Sequence, residues 1–166
     1  MLALKPFNTH RHRDTLIDLL NREEIAQALP LPFPFLQDDA DRYLKQFEKK
    51  EMQNWLLTLE KDSKPIGFVG YGMANYKHIA QCYYWITPQM QGRGYGKAMI
   101  DLLCKKIFSE TDFERLQALV EPHNSASAKI LESNGFVREG MLRRYFYHYR
   151  KDEYLDVDIY ARLREE

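Results

Sequence analysis

The chain has little cysteine, no long apolar run and no surplus of either charge, and each shortage removes a class of function. Its two cysteines, Cys82 and Cys104, belong to no CxxC pair. Neither a disulfide scaffold nor a thiolate zinc site is expected, and two reduced thiols in a cytoplasmic protein are. A nucleophilic cysteine would need an activating partner, and the sequence points to none. The apolar runs are too short to span a bilayer. The start, Met1-Leu2-Ala3-Leu4-Lys5-Pro6, has neither the basic leader nor the apolar core of a signal peptide. Lys+Arg and Asp+Glu are 24 each, whereas a protein that binds bare nucleic acid or an anionic membrane carries a basic excess. His10 and His12 are two apart at a presumed helix start, so they do not share a face, and no metal site is expected.

What is present suits one domain over residues 1–166, with 45% hydrophobic residues to build its core. No repeat or low-complexity tract interrupts it. Leu2–Pro6 reads as a strand. Leu16, Leu19 and Leu20 fall at helical spacing, which predicts a helix over Arg13–Leu20. Leu29-Pro30-Leu31-Pro32-Phe33-Pro34-Phe35 alternates proline with large apolar residues and cannot be regular helix. Asp38–Lys50 reads as a second helix, with Asp38 or Asp39 as its N-cap. Three strands follow: Trp55–Leu59, Ile66–Tyr71 and Gln81–Thr87, the last closed by Pro88. Ala98–Phe108 is a helix with Met99, Leu102, Leu103 and Ile107 on one face. Leu116–Glu121 is a strand, and Asn124 caps a short helix that Gly135 ends. Phe146–Tyr149 and Tyr154–Ala161 form a last antiparallel pair. The order gives a mixed α/β (α+β) sheet with helices on it, not a doubly wound nucleotide fold.

Gly92, Gly94 and Gly96 stand between a strand and a helix. Glycine lets the backbone approach a ligand closely. The first N–H groups of the helix have no internal partners and carry the positive end of its dipole, which suits a pyrophosphate. Arg93 and Lys97 can add charge. The segment is not a P-loop, because GxxxxGK[ST] is absent, and its GxGxG spacing is a poor Rossmann fingerprint. A flexible turn would also use these glycines.

Gln91-Gly92-Arg93-Gly94-Tyr95-Gly96, after an aromatic strand and Thr87-Pro88, resembles the Q/R-x-x-G-x-G/A pyrophosphate loop of the GNAT acetyltransferases. Asn124-Ser125-Ala126-Ser127, Leu131-Glu132-Ser133-Asn134-Gly135-Phe136, Glu139-Gly140, Asp156 and Tyr160-Ala161-Arg162-Leu163 are similar to the RimJ/RimL-like branch, as is the proline-rich segment. That branch acetylates N-terminal amines of ribosomal proteins. The resemblance implies a GNAT fold, a mostly antiparallel sheet of about seven strands flanked by about four helices. It implies acetyl-CoA as cosubstrate, no metal, and direct attack of an amine on the thioester in a monomer or homodimer. The acetyl and pantetheine arm would lie along Trp85-Ile86-Thr87, where a free backbone N–H would face the oxyanion. The cofactor would be held by Ile86, Thr87, Gln91, Gly92, Arg93, Gly94, Tyr95, Gly96, Lys97 and Asn124.

Ser127 matches the serine of the branch's N-x-x-S pattern, where it donates a proton to the departing thiolate. Many other GNATs use a tyrosine four residues later, and Leu131 stands there. Asn124 is equally a helix cap, and Ser127 at N3 equally a capping-turn residue. The branch's basic glutamate is replaced by Phe146, leaving Glu121, His123 and His148 as nearby alternatives. An α-amine with a pKa of ~7.7–8.0 tolerates that loss better than a lysine at ~10.4. The acceptor expected is therefore a protein N-terminus. A small-molecule amine (polyamine, aminoglycoside or amino acid) and a catalytically silent acyl-CoA-binding module are the alternatives.

Overall fold

The computed structural model describes residues 1–166 except 27, 28, 30, 49–53, 149 and 166. Pro30, Lys49, Lys50 and Tyr149, which the sequence readings include, lie outside the described residues. The elements run β1 (Leu2–Pro6), α1 (Thr9–Leu20), α2 (Glu23–Ala26), α3 (Gln37–Glu48), β2 (Asn54–Lys61), β3 (Lys64–Met73), β4 (Ile79–Ile86), a 3-10 turn (Pro88–Met90), α4 (Tyr95–Glu110), β5 (Arg115–Val120), α5 (Ser125–Glu132), β6 (Val137–His148) and β7 (Glu153–Leu163). The strands form one seven-stranded sheet in the order β1-β2-β3-β4-β5-β7-β6. All neighbours are antiparallel except β4 and β5. This is the mixed, mostly antiparallel architecture that the resemblance implies, with α1, α3, α4 and α5 as its longer helices.

Two cores lie on opposite faces of the sheet because strand side chains alternate. One packs Met99, Ile100 and Leu103 of α4 and Leu131 of α5 against Leu57, Val69 and Ile86. The other packs Leu16 and Leu20 of α1, Ile25 of α2 and Leu44 of α3 against Leu56, Phe68 and Trp85. In α4 the apolar face includes Ile100 and Cys104, while Leu102 is only half-buried at its border. Both cysteines are free and buried, and burial pushes both thiols up, Cys104 to about 11. They are core residues, not nucleophiles.

Three readings change. Asp38 is not an N-cap: it lies inside α3, and Asp39 Oδ2 instead accepts from Leu36 N–H at 2.9 Å, reaching back to the helix start. The final pair is longer than its aromatic run, because β6 begins at Val137 and carries two register shifts. Those shifts break the period-2 pattern that marks a strand in sequence. Helix α2 is too short to show a helical period.

His12 is a buried structural residue. Its Nδ1 accepts from Asn8 N–H and from the Thr58 hydroxyl, each at 3.0 Å, so Nε2 carries the proton and donates to Glu60 at 3.2 Å. Lys5 (3.1 Å) and Arg11 (3.7 Å) complete the ion cluster around Glu60. Burial holds the imidazole below its ordinary pKa. For Glu60 burial pushes upward, and Lys5, Arg11 and His12 together outweigh it, so its carboxyl sits low.

Candidate active site

Strands β4 and β5 pair only from Ile79–Arg115 to Cys82–Ala118. Beyond that point Tyr83 to Ile86 stay paired to β3, while Leu119 and Val120 stay paired to β7. The sheet therefore opens between the carboxyl ends of its two parallel strands. Thr87 N–H donates to Ile66 O at 2.9 Å. Hydrogen bonding alternates along a strand, so Trp85 and Tyr83 also face β3, and Ile86 and Tyr84 turn their backbone groups toward the opening. Of Trp85, Ile86 and Thr87, Ile86 is the one whose N–H points there.

A cleft of about 480 Å³ passes through this opening. On the α4–α5 side it is walled by Tyr84, Ile86, Ser127 and Ile130, and on the α2 side by Glu24, Ile25, Leu29 and Trp85. Helix α4 points its N-terminus at the cleft. Its N-cap, Gly94, has φ 81° and supplies no side-chain hydrogen bond, and no acidic residue stands in its first turn. The dipole's positive end is thus left for a ligand. Gly92 has φ 70°, and a Cβ at either glycine would meet nothing within 4 Å. Both backbones lie bare to the cleft in a conformation that costs other residues ~1–2 kcal/mol. A second cleft of about 440 Å³ shares Gly94 and Lys97 and continues past Asn134 and Arg162, so the groove wraps around the start of α4.

The sequence-predicted residues divide. Ile86, Gln91, Gly92, Gly94, Gly96, Lys97, Asn124 and Ser127 all line the first cleft. Thr87, Arg93 and Tyr95 do not line it. The Thr87 hydroxyl donates to Ile66 O at 2.9 Å and ties the strand end to β3. Tyr95 receives a 2.5 Å hydrogen bond from Lys61 Nζ, which clamps α4 to β2. Arg93 is exposed at the loop tip. Gln91 Nε2 donates to Ile86 O at 3.1 Å and folds the loop back on the strand. Gly96 is buried, and a Cβ there would stand 2.6 Å from Ile130 Cδ1. Its small size lets α5 approach α4. Asn134 Nδ2 holds the same approach by donating to Lys97 O (3.2 Å) and Ile130 O (2.8 Å).

Asn124 Oδ1 accepts from Ser127 N–H at 3.1 Å, so Asn124 caps α5. The Ser127 carbonyl accepts from the Tyr84 hydroxyl at 3.3 Å. The Ser127 side chain also lies within hydrogen-bonding reach of the Tyr84 hydroxyl, so its own hydroxyl lines the cleft beside a phenol. Leu131 is fully buried. Phe146 pairs with Leu155 in β6–β7. Neither Glu121, His123 nor His148 lines the cleft. His148 is buried, and its Nδ1 accepts from Lys151 N–H at 3.2 Å. The carboxylate of Glu121 stands 3.9 Å from Lys151 Nζ.

Residues 1–137 match the family described as Acetyltransferase (GNAT) domain. The chain belongs to the GNAT acetyltransferase family. The acetyltransferase is 26% identical over 153 residues to the SPbeta prophage-derived uncharacterized N-acetyltransferase YokL of Bacillus subtilis, covering 91% of this chain and 84% of that one. Spermidine N-acetyltransferase from Vibrio cholerae, in complex with CoA and spermine, superposes with a TM-score of 0.85 at 22% identity, covering 99% and 96% of the two chains. Ribosomal-protein-S5-alanine acetyltransferase from Vibrio fischeri superposes at 0.84 and 20%, covering 99% and 94%.

Several residues of this acetyltransferase's cleft were missed by sequence reasoning, Glu24, Ile25, Tyr84, Lys129 and Ile130 among them. Tyr84 shares its strand face with Ile86, and Ala126, Lys129 and Ile130 share a helix face, so period counting could have found Tyr84, Lys129 and Ile130. Nothing local marks Glu24, which reaches the cleft through the tertiary fold.

Proposed function

We propose that this acetyltransferase moves an acetyl group from acetyl-CoA to a protein N-terminal α-amine, as a RimJ/RimL-like enzyme. The donor side of the reading rests on the fit of the groove. Bare left-handed glycines, an uncapped helix N-terminus and Lys97 suit a pyrophosphate. The open edge of β4 suits the pantetheine amides, and Ile86 N–H suits the developing oxyanion. Ser127 supplies a hydroxyl for the departing sulfur.

The acceptor side rests on charge. Among the described ionisable side chains lining the cleft, Glu24 stands against Lys97 and Lys129. A polycation would need several carboxylates to offset its desolvation, whereas a single amine needs one. The spermidine and ribosomal-protein acetyltransferases superpose about equally well, so the fold does not choose between their acceptors.

The test is thiol release from acetyl-CoA with a panel of free and N-blocked peptides, spermidine and an aminoglycoside. A free α-amine should react faster than the blocked peptide with an internal lysine. Spermidine or the aminoglycoside turning over orders of magnitude faster than every free peptide would move the assignment to small molecules.

A further inference from the structure

The two faces of the opened sheet give the acetyltransferase two approaches to one point. The pyrophosphate loop, α4 and α5 lie on one face, so acetyl-CoA reaches the edge of β4 from there. The acceptor must then arrive from the α2 face, past Ile25, Leu29 and Trp85. Among the described residues, Glu24 is the carboxylate that lines the cleft on this face. Its carboxylate makes no ion pair or hydrogen bond with any described residue. Of the neighbouring carboxylates, Glu23 pairs with Arg150 at 3.2 Å, and Glu121, 3.9 Å from Lys151 with its Oε1 buried and unpartnered, does not line the cleft. Glu24 therefore keeps an uncommitted negative charge at the acceptor mouth. The Trp85 indole walls the same cleft, and a cation beside a carboxylate and an indole is held by both.

We infer that Glu24 receives the acceptor's ammonium group and takes its proton, filling the role that Phe146 leaves vacant; this rests on the acetyl-transfer reading above. The balance is complete. The ammonium loses one proton to the Glu24 carboxylate, which later releases it to water. The neutral nitrogen attacks the thioester carbon, forming N–C as C–S breaks. The nitrogen's second proton passes to the thiolate through the Ser127 hydroxyl, giving amide and free thiol.

The experiment compares Glu24→Gln, Glu24→Asp, Glu23→Gln and Glu121→Gln in the full chain, using the amine of the panel with the highest kcat/KM. Glu24→Gln should lower kcat/KM for the amine by about 100-fold or more, the ordinary worth of a general base. KM for acetyl-CoA and the rise in Tm on adding it should stay unchanged. The rise of kcat/KM with pH should move upward, toward the amine's own deprotonation. Glu24→Asp should recover part of the rate, and Glu23→Gln should stay within a few-fold of the unmodified enzyme. A Glu24→Gln rate within twofold of normal overturns the proposal, as does an equal loss in Glu23→Gln or a larger one in Glu121→Gln. An unmodified protein that binds acetyl-CoA yet acetylates no amine refutes the transfer reading itself and this role with it.

Discussion

Replacing Ser127 by alanine separates a chemical role from a structural one, because the two rest on different atoms. The structural part of the N-x-x-S pattern uses the Ser127 backbone: Asn124 Oδ1 accepts its N–H at 3.1 Å. Alanine keeps that N–H. The hydroxyl's neighbour is the Tyr84 phenol, which keeps the Ser127 carbonyl as its acceptor when the hydroxyl is removed, and alanine's helix propensity adds a few tenths of a kcal/mol. Tm should stay within about 2 °C. A hydroxyl that hydrogen-bonds a thiolate in the transition state is worth ~1.5–3 kcal/mol. That converts to a loss of about 10- to 150-fold in kcat, with KM for acetyl-CoA nearly unchanged. Asn124→Ala supplies the reverse pattern. Losing the cap costs ~1 kcal/mol, or roughly 2–4 °C in a domain of this size. Thermal melts and steady-state thiol release on both variants decide the matter. A Ser127→Ala enzyme with kcat within twofold of normal, or one whose lost rate tracks a lost Tm, refutes the assignment.

Acetyl-CoA at 100 times its Kd should raise stability by ~2.7 kcal/mol. Gly94→Val should abolish that rise, since its side chain would project into the groove from a backbone at φ 81°; equal stabilisation of the variant would place the pyrophosphate elsewhere. Stability should fall on acidification, for two groups of the same sign. His12 has its pKa lowered in the fold, so the unfolded chain takes the proton first, and stability declines as pH drops below about 6.5. Glu60 is likewise lowered, so its contribution is lost at still lower pH, through the carboxylate range and toward its depressed folded value. Melts from pH 8 to 4 should show the decline, and Glu60→Gln should lower Tm at pH 8 and flatten the lower part of that curve. A Tm independent of pH over this range would refute the account of the buried cluster.

Much of this was legible in the chain because it is local. The turn from Gln91 to Gly96, the cap at Asn124 and the alternation along β4 each depend on residues close in sequence. The assignment of roles within the loop was less so. Tyr95 and Thr87 read as loop and strand-end ligands, and the local sequence carries no sign that Lys61 and Ile66, from other strands, hold their side chains. Gly96 reads as a third ligand glycine and lines the cleft, and the local sequence carries no sign that Ile130 also packs against it. His12 offers no hint of Thr58 and Glu60, which arrive from β2. In each case the deciding partner is distant in sequence, and period or propensity carries no record of it.

The position of the site follows from the sheet's one parallel pair. The connections out of β4 and β5 both leave from the same end, into α4 and α5, and both helices pack on the same face. A crevice outside the carboxyl ends of such strands is where open sheets bind ligands. Here the strands also part after Cys82 and Ala118, so the crevice becomes a passage with backbone donors along one wall. A passage through a sheet has two mouths, and the two faces differ in chemistry. The α4–α5 face presents glycines, a helix N-terminus and Lys97 and Lys129, all suited to phosphate. The α2 face presents Trp85, Ile25, Leu29 and Glu24, suited to an amine with an apolar flank. On the proposed reading an anionic donor and a cationic acceptor would be kept to opposite mouths and would meet where Ile86 N–H and the Ser127 hydroxyl stand. That reading has both substrates bound at once, so initial-rate patterns should intersect; parallel lines would mean an acetylated enzyme instead, for which the two buried, unactivated thiols offer no nucleophile.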